Sequence, residues 1–324
     1  MLALVLASAL AADDLRLVTD EAEAALAIFI AENQGNEAPS ALWERLFDSE
    51  GYRLLQRREE SMQRPFSNAD FRKFLTAPAT VAEQPALQRT LEEWRGRGLR
   101  EPSRRAHAYL PPDTPIRARV FILIKPRHNS FVFEPKKAPA IVLYLDPART
   151  AEQFENTAAH ELHHIGYSAA CPESKGLPPK LALARDFAKA FGEGLAMLAA
   201  AGGPDVHPHA ASPASDRARW DRDLANFDSD LGAVERFLLD ILDGRIADEQ
   251  QAMKAAGPFW GETQGAWYTV GWKMAAMVEQ KFGRARLIEA ECDPAALLRD
   301  YNRAAEGRAL ARWSPSLLDR LSGR

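Results

Sequence analysis

The sequence predicts a predominantly helical α+β fold, in which a small sheet precedes one long helix and helical regions flank both. Three observations predict it. Apolar residues recur at helical spacing before and after a central segment. Within that segment, short β-branched runs follow the proline cluster Tyr109-Leu-Pro-Pro-Asp-Thr-Pro115. The last run leads into a helical pattern dense in histidine, Thr157-Ala-Ala-His160-Glu161-Leu162-His163-His164-Ile165-Gly166-Tyr167.

The chain opens on the apolar run Met1-Leu-Ala-Leu-Val-Leu-Ala-Ser-Ala-Leu-Ala-Ala12, followed by Asp13-Asp14. Ala9-Leu10-Ala11 fits a small-x-small cleavage pattern, and the run is too short to span a bilayer. A basic n-region is missing, because Arg16 is the first cation. The expectation is a signal peptide over 1–12 and a secreted or periplasmic protein; a cytoplasmic chain whose first helix opens on this run is the alternative. The pattern from Asp13 to about Gly98 reads as helical. Thr19-Asp20 is an N-cap signal, Ser40 another, and Pro85 precedes a segment carrying Leu87, Leu91 and Trp94. The aromatic stripes, with Trp43 and Phe47 among them, read as helix packing rather than a ligand box.

After Pro115 the strand candidates are Val120–Ile124, Ser130–Phe133 and Ala140–Leu145, the last ended by Asp146-Pro147. The histidine helix is predicted from about Thr150 to Gly166, and a second helix from about Leu181 to Ala201. A Pro/Ser/His loop through Pro213 separates these from helices at 214–242 and 248–256, the segment Gly265-Ala-Trp-Tyr268-Thr-Val-Gly271, and shorter helices to the end. The implied organisation is a helical N-terminal region over 13–112, a core over 113–202, and a C-terminal helical region over 203–324 that completes a cleft.

A chain of 324 residues with 46 % hydrophobic content can bury a sizeable core. Its formal charge of −4 and pI near 6.0 give no electrostatic case for nucleic acid or an anionic membrane as partner. No other stretch is apolar enough to be a membrane span. Cys171 and Cys292 are compatible with one disulfide or with two buried thiols.

His160-Glu161-x-x-His164 places two imidazoles on one helix face, where both reach one metal ion. Glu161, beside the first histidine, is placed to act on water rather than to fill a coordination site. A catalytic zinc site takes three protein ligands and keeps one position open. A metzincin would carry Gly at 167 and His at 170; Tyr167 and Ala170 exclude it. A di-iron site needs a second E-x-x-H, and the chain has none. Glu193 is the candidate third ligand, an acid between Gly192 and Gly194 in an apolar helix. Each glycine costs a helix interior roughly 1 kcal/mol against alanine, so the pair needs a reason. Close approach of another helix or of a metal site would supply it. His207 and His209 read as loop histidines, and the role of His163 is open. Tyr268 is a candidate oxyanion donor and equally a core tyrosine.

His160-Glu-Leu-His-His164, Glu193-Gly-Leu-Ala196 and Tyr268-Thr-Val-Gly-Trp-Lys-Met274 together resemble a family of bacterial zinc-dependent peptidases of gluzincin type, whose activity is itself inferred from the motif. Leu42-Trp-Glu-Arg-Leu-Phe47 and Gly51-Tyr52 extend the likeness over most of the chain. The resemblance implies a zincin-like core, with Zn2+ held by His160, His164 and Glu193, Glu161 as general base, and a peptide or protein as substrate. It implies nothing about cleavage preference or oligomeric state. The competing readings are a helical binding protein with a structural or vestigial metal site, and a zinc hydrolase of non-peptide amides or esters.

Overall fold

The structure, a computed structural model, describes residues 13–134, 137–171, 174, 176–261 and 264–323. The expected signal peptide lies outside the described residues. Helices take up 64 % of the described residues and strands 7 %, which makes the fold α+β, with the β content of the described residues confined to one sheet. The first elements in chain order are β1 (Asp14–Val18), α1 (Asp20–Asn33), α2 (Ser40–Asp48), α3 (Glu50–Ser61), α4 (Asn68–Leu75), α5 (Pro78–Ala82), α6 (Gln84–Arg97) and α7 (Arg100–His107). Then come β2 (Arg117–Leu123), β3 (Phe131–Phe133), β4 (Ala140–Tyr144) and α8 (Ala151–Ala170). The remainder is helical: α9 (Pro179–Ala188), α10 (Gly192–Ala201), α11 (Ala214–Leu224), α12 (Phe227–Asp243), α13 (Glu249–Trp260), α14 (Ala266–Phe282), α15 (Arg284–Glu291), α16 (Pro294–Ala304) and α17 (Pro315–Leu321). Two compact units result: Asp13–Glu101 with Ile116–Ile165, and Pro102–Pro115 with the chain from Gly166 onward.

The first unit is built on a sheet ordered β1-β2-β4-β3. β1 and β4 flank β2 in parallel, and β3 returns antiparallel on β4. One row across the sheet reads Val18, Phe121, Val142, Phe131. β2 is buried almost without interruption toward its C-terminal end, as a parallel strand covered on both faces should be. The three strands expected between Pro115 and the histidine helix are present. β1 corrects the sequence reading, which took 14–18 as helical. Leu15 and Leu17 alternate with Asp14 and Arg16, a strand pattern, but the partner strand lies a hundred residues on and cannot be seen locally.

The capping signals are used in an unexpected way. Thr19 precedes α1 without capping it. Asp20 instead accepts hydrogen bonds from Glu50 N (2.6 Å) and Gly51 N (3.2 Å), so it satisfies the first turn of α3. A Cβ on Gly51 would come 2.7 Å from Leu123 Cδ2 and 2.9 Å from Glu21 Cβ, so α3 needs glycine where it meets α1 and β2. The aromatic stripes pack as expected: Tyr52 and Phe71 lie 5.0 Å apart, and Trp94 of α6 stacks on Phe154 of α8 at 5.0 Å.

In the second unit, two predicted boundaries move. α8 continues past Gly166 to Ala170. Gly166 is no stop signal: a Cβ there would collide with Leu110 Cδ1, so the glycine admits a leucine against the helix. The predicted helix over 181–201 is broken by a 3₁₀ turn, Lys189–Phe191, which ends α9 and starts α10 afresh at Gly192. Cys171 and Cys292 form a disulfide that ties the end of α8 to the end of α15. No helix among the described residues is long and apolar enough to cross a membrane.

Glu21 generates a prediction. Its side chain is fully buried and accepts from Ile124 N (2.9 Å), and burial pushes its pKa from 4.5 up to about 8. A carboxyl whose folded pKa is raised contributes stability that is complete below its unfolded value and lost as pH rises through the folded one. Urea unfolding is therefore expected to show stability falling between pH 5 and pH 8. Glu21→Gln, which keeps the acceptor and cannot ionise, should remove a few kcal/mol of that fall. An unchanged slope in the variant would mean that Glu21 is ionised in the folded protein.

Candidate metal centre

The sheet leads through β4 and a short loop into α8. The half of α8 before Ile165 is held by the Trp94–Phe154 stack and by Arg97, whose guanidinium lies 3.0 Å from Glu152 and 3.6 Å from Glu155. Along it, Ala158, Ala159, Leu162, His163 and Ile165 are buried, whereas Asn156, Thr157, His160, Glu161 and His164 are half-exposed. The motif residues thus share the open face at helical spacing. His163 is fully buried, one position off the face that His160 and His164 share, which makes it a core residue of α8.

His160 and His164 present the same nitrogen to each other, with Nε2 atoms 3.0 Å apart and rings 4.6 Å apart, nearly perpendicular. Two imidazole nitrogens on one tetrahedral zinc are roughly 3.3 Å apart, given Zn–N bonds of about 2.0–2.1 Å. The pair therefore fits a single zinc ion with little adjustment. One ligand atom each from His160, His164 and Glu193 lie within 4.8 Å of one another.

Glu193 stands in the first turn of α10, directly after the 3₁₀ break. Its two neighbours have different reasons to be glycine. Gly194 packs on α14 so closely that a Cβ would fall on the backbone of Trp272 and within 2.6 Å of Gly271 Cα. The contact is reciprocal, because a Cβ on Gly271 would come 2.7 Å from Phe191 O. Gly192 faces the ring of Tyr167, at an ordinary 3.5 Å from its would-be Cβ. Tyr167 lies one turn beyond His164 on α8, so α8 and α10 pack at the residues next to the candidate ligands. Helix approach, one of the two expected reasons for the glycines, accounts for Gly194.

Tyr268 lies half-exposed in the first turn of α14, one turn before Gly271. His207 and His209 sit in the loop before α11. His207 Nε2 lies 3.2 Å from Asp221, and His209 bonds to Ser212 (3.1 Å) and Gln264 (2.5 Å). Burial lowers the pKa of His209. Neither histidine joins a group of three metal-ligating side chains among the described residues. A second group does form, from Cys171, Cys292 and Glu291. Sequence reasoning passed over Glu291, whose only signal was its position beside a cysteine.

A family model described as "Putative zinc dependent peptidase (DUF5700)" matches residues 43–309. The chain belongs to this family. The matched stretch takes in α8, α10 and α14, and the family's description names zinc as its metal. No curated protein and no solved structure matches the chain.

The Gly194 contact yields the second prediction. Gly194→Ala should force α10 away from α14, because backbone atoms cannot yield as a side-chain end can. Overpacking of this kind costs about 1–3 kcal/mol or more, read by thermal unfolding. Where Glu193 holds zinc, the same shift should also weaken metal binding, read by titration with a metal indicator. Gly192→Ala, whose nearest neighbour is the Tyr167 ring at an ordinary 3.5 Å, should be far milder. Equal effects of the two substitutions would contradict the assignment.

Proposed function

We propose that this member of the family is a gluzincin-type metallopeptidase, with zinc held by His160, His164 and Glu193. The observation that carries the reading is the grouping of the two motif imidazoles and the Glu193 carboxylate, with both histidines offering Nε2 from the open face of α8. Zinc bound there would polarise a scissile carbonyl and bring the pKa of water toward about 7. Glu161, next to His160 on the same open face, accepts the proton of the attacking water and delivers it to the departing amine. Tyr268 donates a hydrogen bond to the oxyanion that develops on the carbonyl. The buried side of α8, with Leu162 and His163, fixes the direction of the catalytic face. The substrate is a peptide or protein. The Cys171–Cys292 disulfide supports an exported, oxidising location, since such bonds persist there.

The deciding experiment combines metal analysis with digestion of a mixed peptide library. Glu161→Gln should keep zinc and lower kcat/KM by about 10²–10⁴, whereas His164→Ala should lose the metal itself. Full activity in Glu161→Gln would end the general-base assignment, and unchanged zinc content in His164→Ala would end the ligand assignment. Tyr268→Phe should retain zinc and lower kcat by roughly 10²–10³ with KM little changed. A kcat equal to wild type would end the oxyanion-donor assignment.

A further inference from the structure

The side-chain group at the junction of α8 and α15 has no part in the chemistry above. Cys171 follows α8 directly, Glu291 ends α15, and Cys292 is its C-cap. The two sulfurs and a Glu291 carboxylate oxygen lie within 4.8 Å of one another. Glu291 is 2 % exposed, and neither of its carboxylate oxygens has a hydrogen-bond partner among the described residues. Buried polar groups without a partner are rare and call for a reason. The neighbours supply none while they are oxidised, because a disulfide has no proton to donate. The contact that orders this corner, Tyr167 Oη donating to Glu291 O at 3.2 Å, engages the backbone and leaves the carboxyl unused.

We infer that the reduced chain carries a second metal site, in which Cys171, Cys292 and Glu291 bind a zinc-like divalent cation through two thiolates and a carboxylate. Thiolate and carboxylate oxygen are both established zinc donors, and two soft sulfurs select zinc-like ions over magnesium or calcium. The fourth position is left to water. Two observations carry this assignment: a Glu291 carboxylate oxygen lies within reach of both sulfurs, and that carboxyl is buried without a partner among the described residues. Oxidised, the group is a covalent tie between α8 and α15; reduced, the cation takes over that tie. The same two cysteines cannot serve both states at once, so disulfide closure expels the ion. Reduction by a phosphine balances as disulfide plus phosphine plus water giving two thiols and phosphine oxide. Metal binding then releases the two thiol protons.

The inference does not rest on the peptidase reading, and its test keeps the two apart. The full chain is reduced with a water-soluble phosphine and titrated with cobalt(II), whose thiolate charge-transfer band in the near ultraviolet reports sulfur ligation alone. Reduced wild type and reduced His160→Ala should both develop the band, while oxidised wild type should not. Cys292→Ser and Cys171→Ser should each lose most of it. Glu291→Gln, which leaves both sulfurs in place, should weaken cobalt binding roughly tenfold or more. Far-ultraviolet circular dichroism on the reduced samples confirms that the helices persist. Absence of the band in reduced, folded wild type would overturn the inference, as would its persistence in both serine variants. Unchanged affinity in Glu291→Gln would remove the carboxylate from the site and with it the reason for the proposal. Failure of the His160 and His164 site to bind metal would leave every one of these outcomes readable.

Discussion

The crossing of α10 and α14 is the contact on which the candidate centre depends. Two glycines, Gly194 and Gly271, let the helix backbones approach until no side chain fits between them. α10 is apolar all round, as a helix surrounded by protein must be, and Glu193 is the acid in its first turn. A side chain so placed has little freedom of its own: the helix sets where it points, and α14 sets where the helix lies. The 3₁₀ turn Lys189–Phe191 ends α9, so α10 starts afresh at Gly192, one residue before Glu193. The placement of Glu193, the proposed third ligand, is therefore a backbone property, not a matter of side-chain packing.

α8 shows how one helix can carry both a core and a reactive face. Phe154 packs on Trp94 of α6, Leu110 fills the space beside Gly166, and the open residues are those of the motif. The histidines need no hinge or loop to meet: one helical turn brings the Nε2 atoms to 3.0 Å. A preformed pair of this kind lowers the ordering cost of metal binding.

Buried ionisable groups cluster at the ends of this framework. Glu21 closes the C-terminal end of β2, where burial also brings Lys125 down to about 8. The Lys125 ammonium donates to Arg127 O and to Asn129 Oδ1, which ties down the turn after β2. Glu291, pushed up to about 8 by burial, stands beside the disulfide instead. Each is desolvated, and each destabilises the ionised form of the fold unless something answers it. For Glu21 and Lys125 the backbone and Asn129 answer. For Glu291 nothing among the described residues of the oxidised chain does.

Much of this was legible in the sequence, because the informative features are local. The 3.6-residue period marked the helices, the β-branched runs marked β2, β3 and β4, and i, i+4 spacing put His160 and His164 on one face. The Gly-Glu-Gly setting singled out Glu193 through a cost that demanded a cause. What the sequence could not decide depends on residues far apart along the chain. β1 needs hydrogen bonds from a strand a hundred residues away, so its short alternation was read as helix. Gly166 looks like a stop signal until Leu110 is seen to occupy the space of its side chain. Whether two cysteines pair, and what stands beside them, depends on where two helices end. Sequence by itself determined which residues can bind a metal, since chemistry and helical period are carried by neighbours. Only the tertiary structure decided which of them meet, because helix crossings are set by backbone contact between segments that share no local pattern.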